Sequence, residues 1–394
     1  MFLVSTFLLS WPFIIRKLLL WMAFITSITF FLFFQSKNIN YLEASFLLSL
    51  MTFMPVLAEI PTGVFADTYG RKKSILISIC IELFCLIGIV STQSFFLLTC
   101  IFIIWGIGNT FASGAINAWA IERFPEERKD HHLENYFALN SGAFSAGMVI
   151  AGLVSTFLLT YYTHDSIWYF RIGITIIWLI TLFFIHENFK RDYEWSHTFA
   201  LFKKNIYSGF LVFKKTRILR YLIWSEFLLS IALFLVSWAA MQSFLWDAWL
   251  KENAWWSIYS ITALVTIGIP ILTLKLVSYF KKKTTYLTII LILQAIIFFL
   301  STLFINPYYA AFLLFFYNIS EDLFNPISSG LFHNNISSNV RATIESFQST
   351  LLNIWYSIGM LSGWFIAQYL SWSTVMIISL FFFLGSAYLY RQAE

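Results

Sequence analysis

Long apolar runs separated by short charged segments are the feature that most constrains this chain. About 20 apolar residues suffice for a helix to cross the hydrocarbon core of a membrane, and a backbone inside lipid must satisfy its own hydrogen bonds. Hydrophobic residues make up 59% of the 394 residues, and charged residues make up only 11%. This balance excludes an ordinary water-soluble protein. The runs therefore predict an all-helical integral membrane protein.

Charges and turn residues divide the chain into two sets of six predicted spans. The first set is predicted at 18–35, 43–66, 74–92, 96–121, 135–160 and 167–186. The second set is predicted at 219–243, 255–278, 285–305, 308–332, 343–369 and 373–390. We therefore predict twelve transmembrane helices in two bundles, 1–186 and 219–394, with residues 187–218 as a cytoplasmic linker.

The apolar residues before the first predicted span could be mistaken for a signal peptide. Their basic residues, Arg16 and Lys17, follow the apolar run instead of preceding it, and no small-residue cleavage site is evident. We therefore expect no cleaved signal peptide.

The distribution of positive charge predicts the orientation of the chain. With both termini and the linker inside, only three of the 25 Lys and Arg residues lie towards the outside: Lys37, Arg171 and Lys251. This asymmetry follows the positive-inside rule. It predicts a multi-pass protein of the cell inner (plasma) membrane with cytoplasmic termini, and it explains the net charge of +5 without nucleic acid. The basic, aromatic linker is interpreted as a lipid-facing connector on the inner leaflet, or alternatively as a regulatory peptide.

A compact block between the second and third predicted spans combines a helix end, a turn and a basic cluster. Its members are Gly63, Asp67, Gly70, Arg71 and Lys72. Gly63 is small enough for another helix to approach closely, and Gly70 permits a turn with positive φ. The block resembles the GxxxDxxGRK/R signature between helices 2 and 3 of major facilitator superfamily transporters, most closely drug and metabolite proton antiporters. The resemblance implies alternating access, in which two halves rock about a central site.

The same resemblance implies how the block acts as a gate. It implies that Asp67 contacts the start of span 11 in the outward-open state, and that Arg71 pairs with an acid at the end of span 4. Glu122 is the matching acid in this sequence. Arg341 precedes span 11 and could join this cluster, or it could be ordinary positive-inside charge.

A faint internal repeat supports two related halves. Lys281, Lys282 and Lys283, between the eighth and ninth predicted spans, take the place that Arg71 to Lys73 hold in the first half. Many secondary transporters are built from such repeats and hold their substrate at the interface between them.

Ionisable side chains inside predicted spans are candidates for function, because an embedded charge is costly. Glu321 and Asp322 are adjacent in the tenth span. At about 100° per residue they cannot point the same way, so one is expected to face a water-filled cavity and the other to bond a neighbouring helix. Mutual repulsion in a low dielectric favours reversible proton uptake. The alternative is a structural pair that holds helices together.

Three further acids lie within predicted spans. Glu226 is in span 7, which lines the central cavity in the resembling fold, and is expected to bind a proton or a cationic substrate, or alternatively to reach the inner interface. Glu59 begins a Glu-x-Pro-x-Gly lead-in that recurs in the resembling transporters, and it either relays protons or contacts a helix interface. Glu82 is expected to be structural, because span 3 tends to face lipid or scaffold in that family.

The remaining polar groups suggest that the first half of the cavity is nearly uncharged. Span 4 lacks the arginine that many proton-coupled drug exporters carry there, and span 1 offers only small hydroxyls. The expected cavity-lining amides are Asn109, Asn117, Asn318 and Asn325.

Small and sulfur-containing residues inside the spans are expected to be structural. The spacing of Gly142 and Gly147 in span 5, and of Gly359 and Gly363 in span 11, predicts close helix contacts. The cysteines are expected to be free, buried thiols: Cys80, Cys85 and Cys100.

No pattern typical of an enzyme competes with transport. The sequence contains no phosphate-binding glycine loop, no paired Cys and His ligands and no nucleophile elbow. We therefore expect no catalytic activity, no metal and no cofactor, with a proton gradient as the energy source.

The sequence thus favours proton-driven export of a small amphipathic or cationic drug, peptide-like compound or toxic metabolite. Import of a polar nutrient by symport and a non-transporting membrane sensor on the same fold are the alternatives. The expected partners are a small-molecule substrate and membrane lipids, with no nucleic acid, and the expected state is a monomer.

Overall fold

A computed structural model describes residues 2–28, 30–113, 115–124, 129–187, 213–214, 216–236, 241–266, 269–334 and 341–393. These residues form helices and short connections, with no strand among them. The first nine helices, α1–α9, are Phe2–Met22, Ile25–Ile28, Phe30–Ser36, Tyr41–Tyr69, Arg71–Ser91, Phe95–Ser113, Ala115–Glu122, Lys129–Tyr161 and Asp165–Phe183. Helices α10–α17 are Arg217–Phe234, Met241–Asp247, Glu252–Thr266, Ile269–Ser278, Lys283–Leu300, Pro307–Asn334, Arg341–Tyr369 and Trp372–Gln392.

The all-helical membrane fold predicted from the sequence is confirmed. Within the described ranges, eight helices are long and apolar enough to cross a membrane. Other predicted spans are divided into shorter helices, such as α12 and α13, and the helix order is consistent with twelve crossings. Most of the linker 187–218 lies outside the described residues.

The predicted start of the first span is wrong. A boundary was expected at Arg16 and Lys17, yet α1 begins at Phe2 and runs through both basic residues to Met22. The charges do not end the helix because they point into a bundle of other helices, where Arg16 lies over the ring of Trp178 at 5.6 Å. A charge ends a span reliably only when it has nothing to contact inside the membrane.

The helices divide into two compact units. The first comprises Met1–Asn40 with Met54–Phe199, and the second comprises Tyr41–Phe53 with Ala200–Glu394. In the first unit, α1 packs along α8 and α9, and α5 packs between α6 and α9. In the second unit, α17 packs against α10 and α14, α16 packs against α10, and α15 packs against α12 and α14.

Glycine spacing predicts the helix contacts only in part. A Cβ at Gly147 would lie 2.7 Å from the carbonyl oxygen of Leu18 and 2.8 Å from Cβ of Trp21, which confirms a close contact between α8 and α1. At Gly142 an added Cβ would meet no atom within 4 Å in the described structure, so the close contact predicted there is wrong. Cys80 is exposed, which also differs from the expectation of buried thiols.

Candidate functional site

The turn between α4 and α5 has the backbone geometry that the sequence predicts. Gly70 has a φ of 103°, a conformation that side chains rarely allow, so the expected positive φ is confirmed. Helix α5 begins at the next residue, Arg71. The backbone N–H groups of Arg71 and Lys72 donate to Oε1 and Oε2 of Glu187 at 2.7 and 3.1 Å. A carboxylate thus caps the positive end of the helix dipole.

Sequence reasoning missed Glu187 because this residue was assigned to the linker. The sequence feature that could have identified Glu187 is an acid directly after the last apolar run of the first bundle. The ammonium of Lys72 strengthens the same junction, because its Nζ donates to the carbonyl oxygen of Ile185 at 2.6 Å. These contacts fix the start of α5 to the segment that follows α9.

The other predicted gating residues are described only in part. A Cβ at Gly63 would meet no atom within 4 Å in the described structure, so the close helix approach predicted there stays a prediction. Four predicted side chains, three at the gate and one in the cavity, lie outside the described part of the structure: Asp67, Glu122, Arg341 and Asn117.

The first unit contains an embedded ion pair between α5 and α9. Arg171 Nη2 lies 3.1 Å from Glu82 Oε1, and both side chains are mostly buried, with exposed fractions of 15% and 13%. The guanidinium also donates to Oγ1 of Thr26 at 2.5 Å and lies over the ring of Trp105 at 4.8 Å. Arg171 therefore holds helices together, which is consistent with the structural role expected of Glu82. Its predicted position towards the outside stays a prediction.

The first unit carries embedded charge around a cavity of its own, while the expectation of a nearly uncharged first half of the central cavity stays a prediction. The helices of the first unit carry Arg16, Lys17, Glu82 and Arg171 along a cavity or beside it. Asn109 lines this cavity, which lies inside the first unit.

In the second unit, Glu321 of α15 lies among hydroxyl and amide groups. The Tyr317 hydroxyl donates to its carboxylate. Tyr259 of α12 and Tyr356 of α16 are close enough to interact with it electrostatically, and Tyr259 is hydrogen-bonded to Asn318. Glu321 thus lies on α15, which packs against α12.

Asp322 has different surroundings from its neighbour, as the helical geometry requires. It is partly buried, whereas Asn325, one turn further along α15, is exposed. Among the described residues, no Lys, Arg or His lies within salt-bridge distance of Glu321 or Asp322. Glu59 of α4 is likewise partly buried without a described ionic partner. Acids without cations are the ones whose charge a proton can neutralise.

Glu226 forms a three-oxygen ring with two hydroxyl groups. Its Oε1 accepts from the hydroxyl of Ser328 on α15 and from the hydroxyl of Tyr390 on α17, the latter at 2.6 Å. The two hydroxyl oxygens themselves lie 2.7 Å apart. Tyr390 is fully buried and Glu226 is partly buried. The expected binding role of Glu226, and the alternative that it reaches the inner interface, stay predictions.

The sequence profile of the Major Facilitator Superfamily matches residues 13–360. The chain belongs to the Major Facilitator Superfamily. It is a membrane transporter of that type. A relative named as an uncharacterized MFS-type transporter, YhjO of Bacillus subtilis (strain 168), is 22% identical over 148 residues, which cover 38% of this chain and 35% of the relative. The chain therefore aligns with only about a third of that relative's length.

Solved structures share this fold at low sequence identity. The nucleoside transporter NupG has a TM-score of 0.75 at 17% identity and covers 98% of both chains. The POT family transporter PepTSo has a TM-score of 0.76 at 10% identity and covers 98% of this chain and 97% of its own. A bacterial homologue of the human lysosomal transporter Spinster has a TM-score of 0.71 at 12% identity, covering 100% and 97%. These likenesses establish the architecture.

Proposed function

We propose that this protein is a secondary active transporter that exports a small amphipathic or cationic compound in exchange for protons. The compound is a drug, a peptide-like molecule or a toxic metabolite. Support comes from membership of a transporter family together with embedded acids that lack described cationic partners. The protein works in the inner (plasma) membrane as a monomer with cytoplasmic termini, and it uses a proton gradient in place of a cofactor.

The ring formed by Glu226, Ser328 and Tyr390 is the observation that carries the proposal. Three oxygens in mutual hydrogen-bond distance offer three O–H···O positions, but an ionised carboxylate leaves only the two hydroxyl protons to fill them. A proton added to Glu226 fills the third position and also removes a buried negative charge. The ring therefore suits reversible proton binding.

Glu321 and Asp322 provide the second half of the exchange. A carboxylate can bind either a proton or a cationic substrate at one time, so protonation of the carboxylate releases the bound cation. Entry of a proton from the outer side then drives exit of the substrate from the cytoplasm. The tyrosines around Glu321 supply aromatic faces and hydroxyls, which suit an amphipathic cation.

The rim of α4 and α5 is proposed as the gate that alternates access. The turn at Gly70 and the cap at Glu187 hold the start of α5 in place. We assign gating roles to Asp67, Arg71, Glu122 and Arg341 on the strength of the signature that they match. In this scheme Glu59, above the gate, relays protons.

Symport of a polar nutrient is the second candidate. It is favoured by structural neighbours that are named as nucleoside and POT family transporters. The two candidates differ in direction, because an exporter protects a cell from its substrate whereas an importer accumulates it.

Growth of an efflux-deficient bacterial host across a panel of toxic compounds tests the proposal. Cells carrying the wild type should survive higher concentrations of some cationic or amphipathic compounds, and Glu226→Gln and Glu321→Gln should abolish this resistance. Asp165→Asn is the matched control, since this acid lies in the first turn of α9 at the end of the span. Absence of resistance to every compound, with the protein present in the membrane, contradicts export, and labelled-nutrient uptake then tests the symporter.

A further inference from the structure

A cavity of about 220 Å³ lies inside the first unit, between α1, α5, α6, α8 and α9. A water molecule occupies about 30 Å³ in the liquid, so this space accommodates a phosphate group or a short carboxylic acid. Its polar lining includes Arg16, Lys17, Glu82, Asn109, Tyr136 and Asn140.

The charges around this cavity do not balance. Arg16 and Lys17 line it as cations, and Glu82 is the acid among the lining residues. Glu82 already pairs with a third cation, Arg171, at 3.1 Å. Among the described residues around this cavity, three cations thus share one carboxylate. Embedded charge without a partner is costly, so a ligand of opposite sign stabilises this arrangement.

The guanidinium of Arg16 has an N–H donor without a hydrogen-bond partner among the described residues. Its Nε is shielded from solvent and has no hydrogen-bond partner within the described residues. The ring of Trp178 lies 5.6 Å from Cζ and interacts with the cation without accepting its in-plane hydrogen bonds. A planar guanidinium with free N–H groups is the best geometric match to a carboxylate or phosphate in the protein repertoire.

A neighbouring amide adds a second group with unused capacity. Oδ1 of Asn140 is buried and has no partner in the described structure. Asn140 lies on α8, which packs along α1. A half-turn of its amide would exchange the orphaned Oδ1 for the NH₂ group, which can donate to a ligand. Asn109 on α6 offers the same chemistry from a third direction.

We propose that this cavity binds a small oxyanion, a carboxylate or a phosphate group, with Arg16 as its principal ligand. Lys17 adds charge, and Asn109 and Asn140 add hydrogen bonds. The oxyanion belongs either to a free solute or to a lipid headgroup. The proposal goes beyond the proposed export function, which assigns no role to Arg16, Lys17, Asn109 or Asn140.

Thermal unfolding of the purified full-length protein in detergent tests the site with inorganic phosphate and acetate as probes. A ligand that binds the folded state raises the unfolding midpoint in a saturable way, which gives its apparent affinity. Loss of a charge-assisted contact in Arg16→Gln should weaken that affinity at least about tenfold. Ala112→Leu, which fills the cavity without changing any charge, should abolish the shift.

Lys283→Gln is the matched control, because it removes an exposed cation at the start of α14 and should leave the affinity unchanged. Chloride at equal ionic strength controls for general salt effects. A second arm compares nanodiscs of phosphatidylcholine with and without phosphatidylglycerol. Stabilisation of the wild type, but not of Arg16→Gln, by phosphatidylglycerol identifies the headgroup of an anionic lipid as the source of the oxyanion.

The proposal is overturned if neither arm shows saturable stabilisation of the wild type, or if Arg16→Gln retains the wild-type affinity. The readout needs no substrate and no proton gradient. A negative result in the export assay therefore does not affect the binding result. A negative binding result likewise does not affect the export assay.

Discussion

Two embedded acids show how surroundings decide the role of a side chain. Glu82 faces Arg171 at 3.1 Å, so its charge is held in place by a fixed cation. Glu226 faces only hydroxyl groups in the described structure, one of them Tyr390 at 2.6 Å. A carboxylate with a fixed cation stays ionised and supports the fold, whereas one among hydroxyls can exchange its charge for a proton.

Removal of Arg171 should therefore destabilise the protein. Arg171→Gln leaves Glu82 buried without its cation, and breaking such a pair costs about 3 kcal/mol. The double variant Glu82→Gln/Arg171→Gln should lose less than the single variant, because no unpaired carboxylate remains. Thermal unfolding in detergent measures both. Equal or greater loss in the double variant would show that the pair does not couple the two helices.

At the scale of elements, α5 is fixed by opposite charges at its two ends. At its start, the carboxylate of Glu187 accepts from two backbone N–H groups. At its end, the ammonium of Lys37 donates to the carbonyl oxygens of Ile89, Val90 and Thr92 at 2.7, 2.7 and 3.0 Å. Both contacts satisfy backbone groups that a helix leaves unpaired, and both complement the helix dipole.

The turn that starts α5 should depend on glycine. Gly70→Ala forces a side chain into a backbone region that costs about 2 kcal/mol, and it should lower the unfolding midpoint. Gly63→Ala is the matched control seven residues earlier: it lies inside α4 with open space around its Cβ. There alanine should be neutral or stabilise by up to about 1 kcal/mol. Equal effects of the two substitutions would contradict this account.

At the scale of elements, the backbone conformation of a single turn could be predicted from the sequence. Contacts between helices that are distant in the chain could not. The positive φ of Gly70 follows from a Gly before a basic helix start, so the sequence predicts it. The cap of α5 depends on where α9 ends, so the sequence did not predict Glu187. The pairing of the Arg71 side chain with Glu122 is a separate contact and stays a prediction. The start of the first span was predicted wrongly because a charge such as Arg16 beside an apolar run normally marks a membrane boundary. Only packing of α1 against α9 places this charge inside a bundle.

Across the whole molecule, embedded charge differs in sign between the two units. Within the described residues, the first unit has a surplus of cations around its cavity, and α15 of the second unit carries two acids without cations. The all-helical membrane fold and the superfamily were predictable from apolar periodicity and the Gly63–Lys72 signature. The difference in embedded charge between the two units could not be predicted from the sequence, because it depends on which residues the helices bury together.

Proton movement in energised inverted membrane vesicles tests the central claim most directly. A pH-sensitive dye reports the gradient, and each compound that raised resistance is added in turn. The account predicts that such compounds release protons from wild-type vesicles, that Glu226→Gln abolishes the response and that Tyr390→Phe weakens it. Tyr388→Phe, which alters an exposed hydroxyl on the same helix, should behave like the wild type. Unchanged proton release in Glu226→Gln, with equal amounts of protein, would contradict the claim that this ring carries the proton.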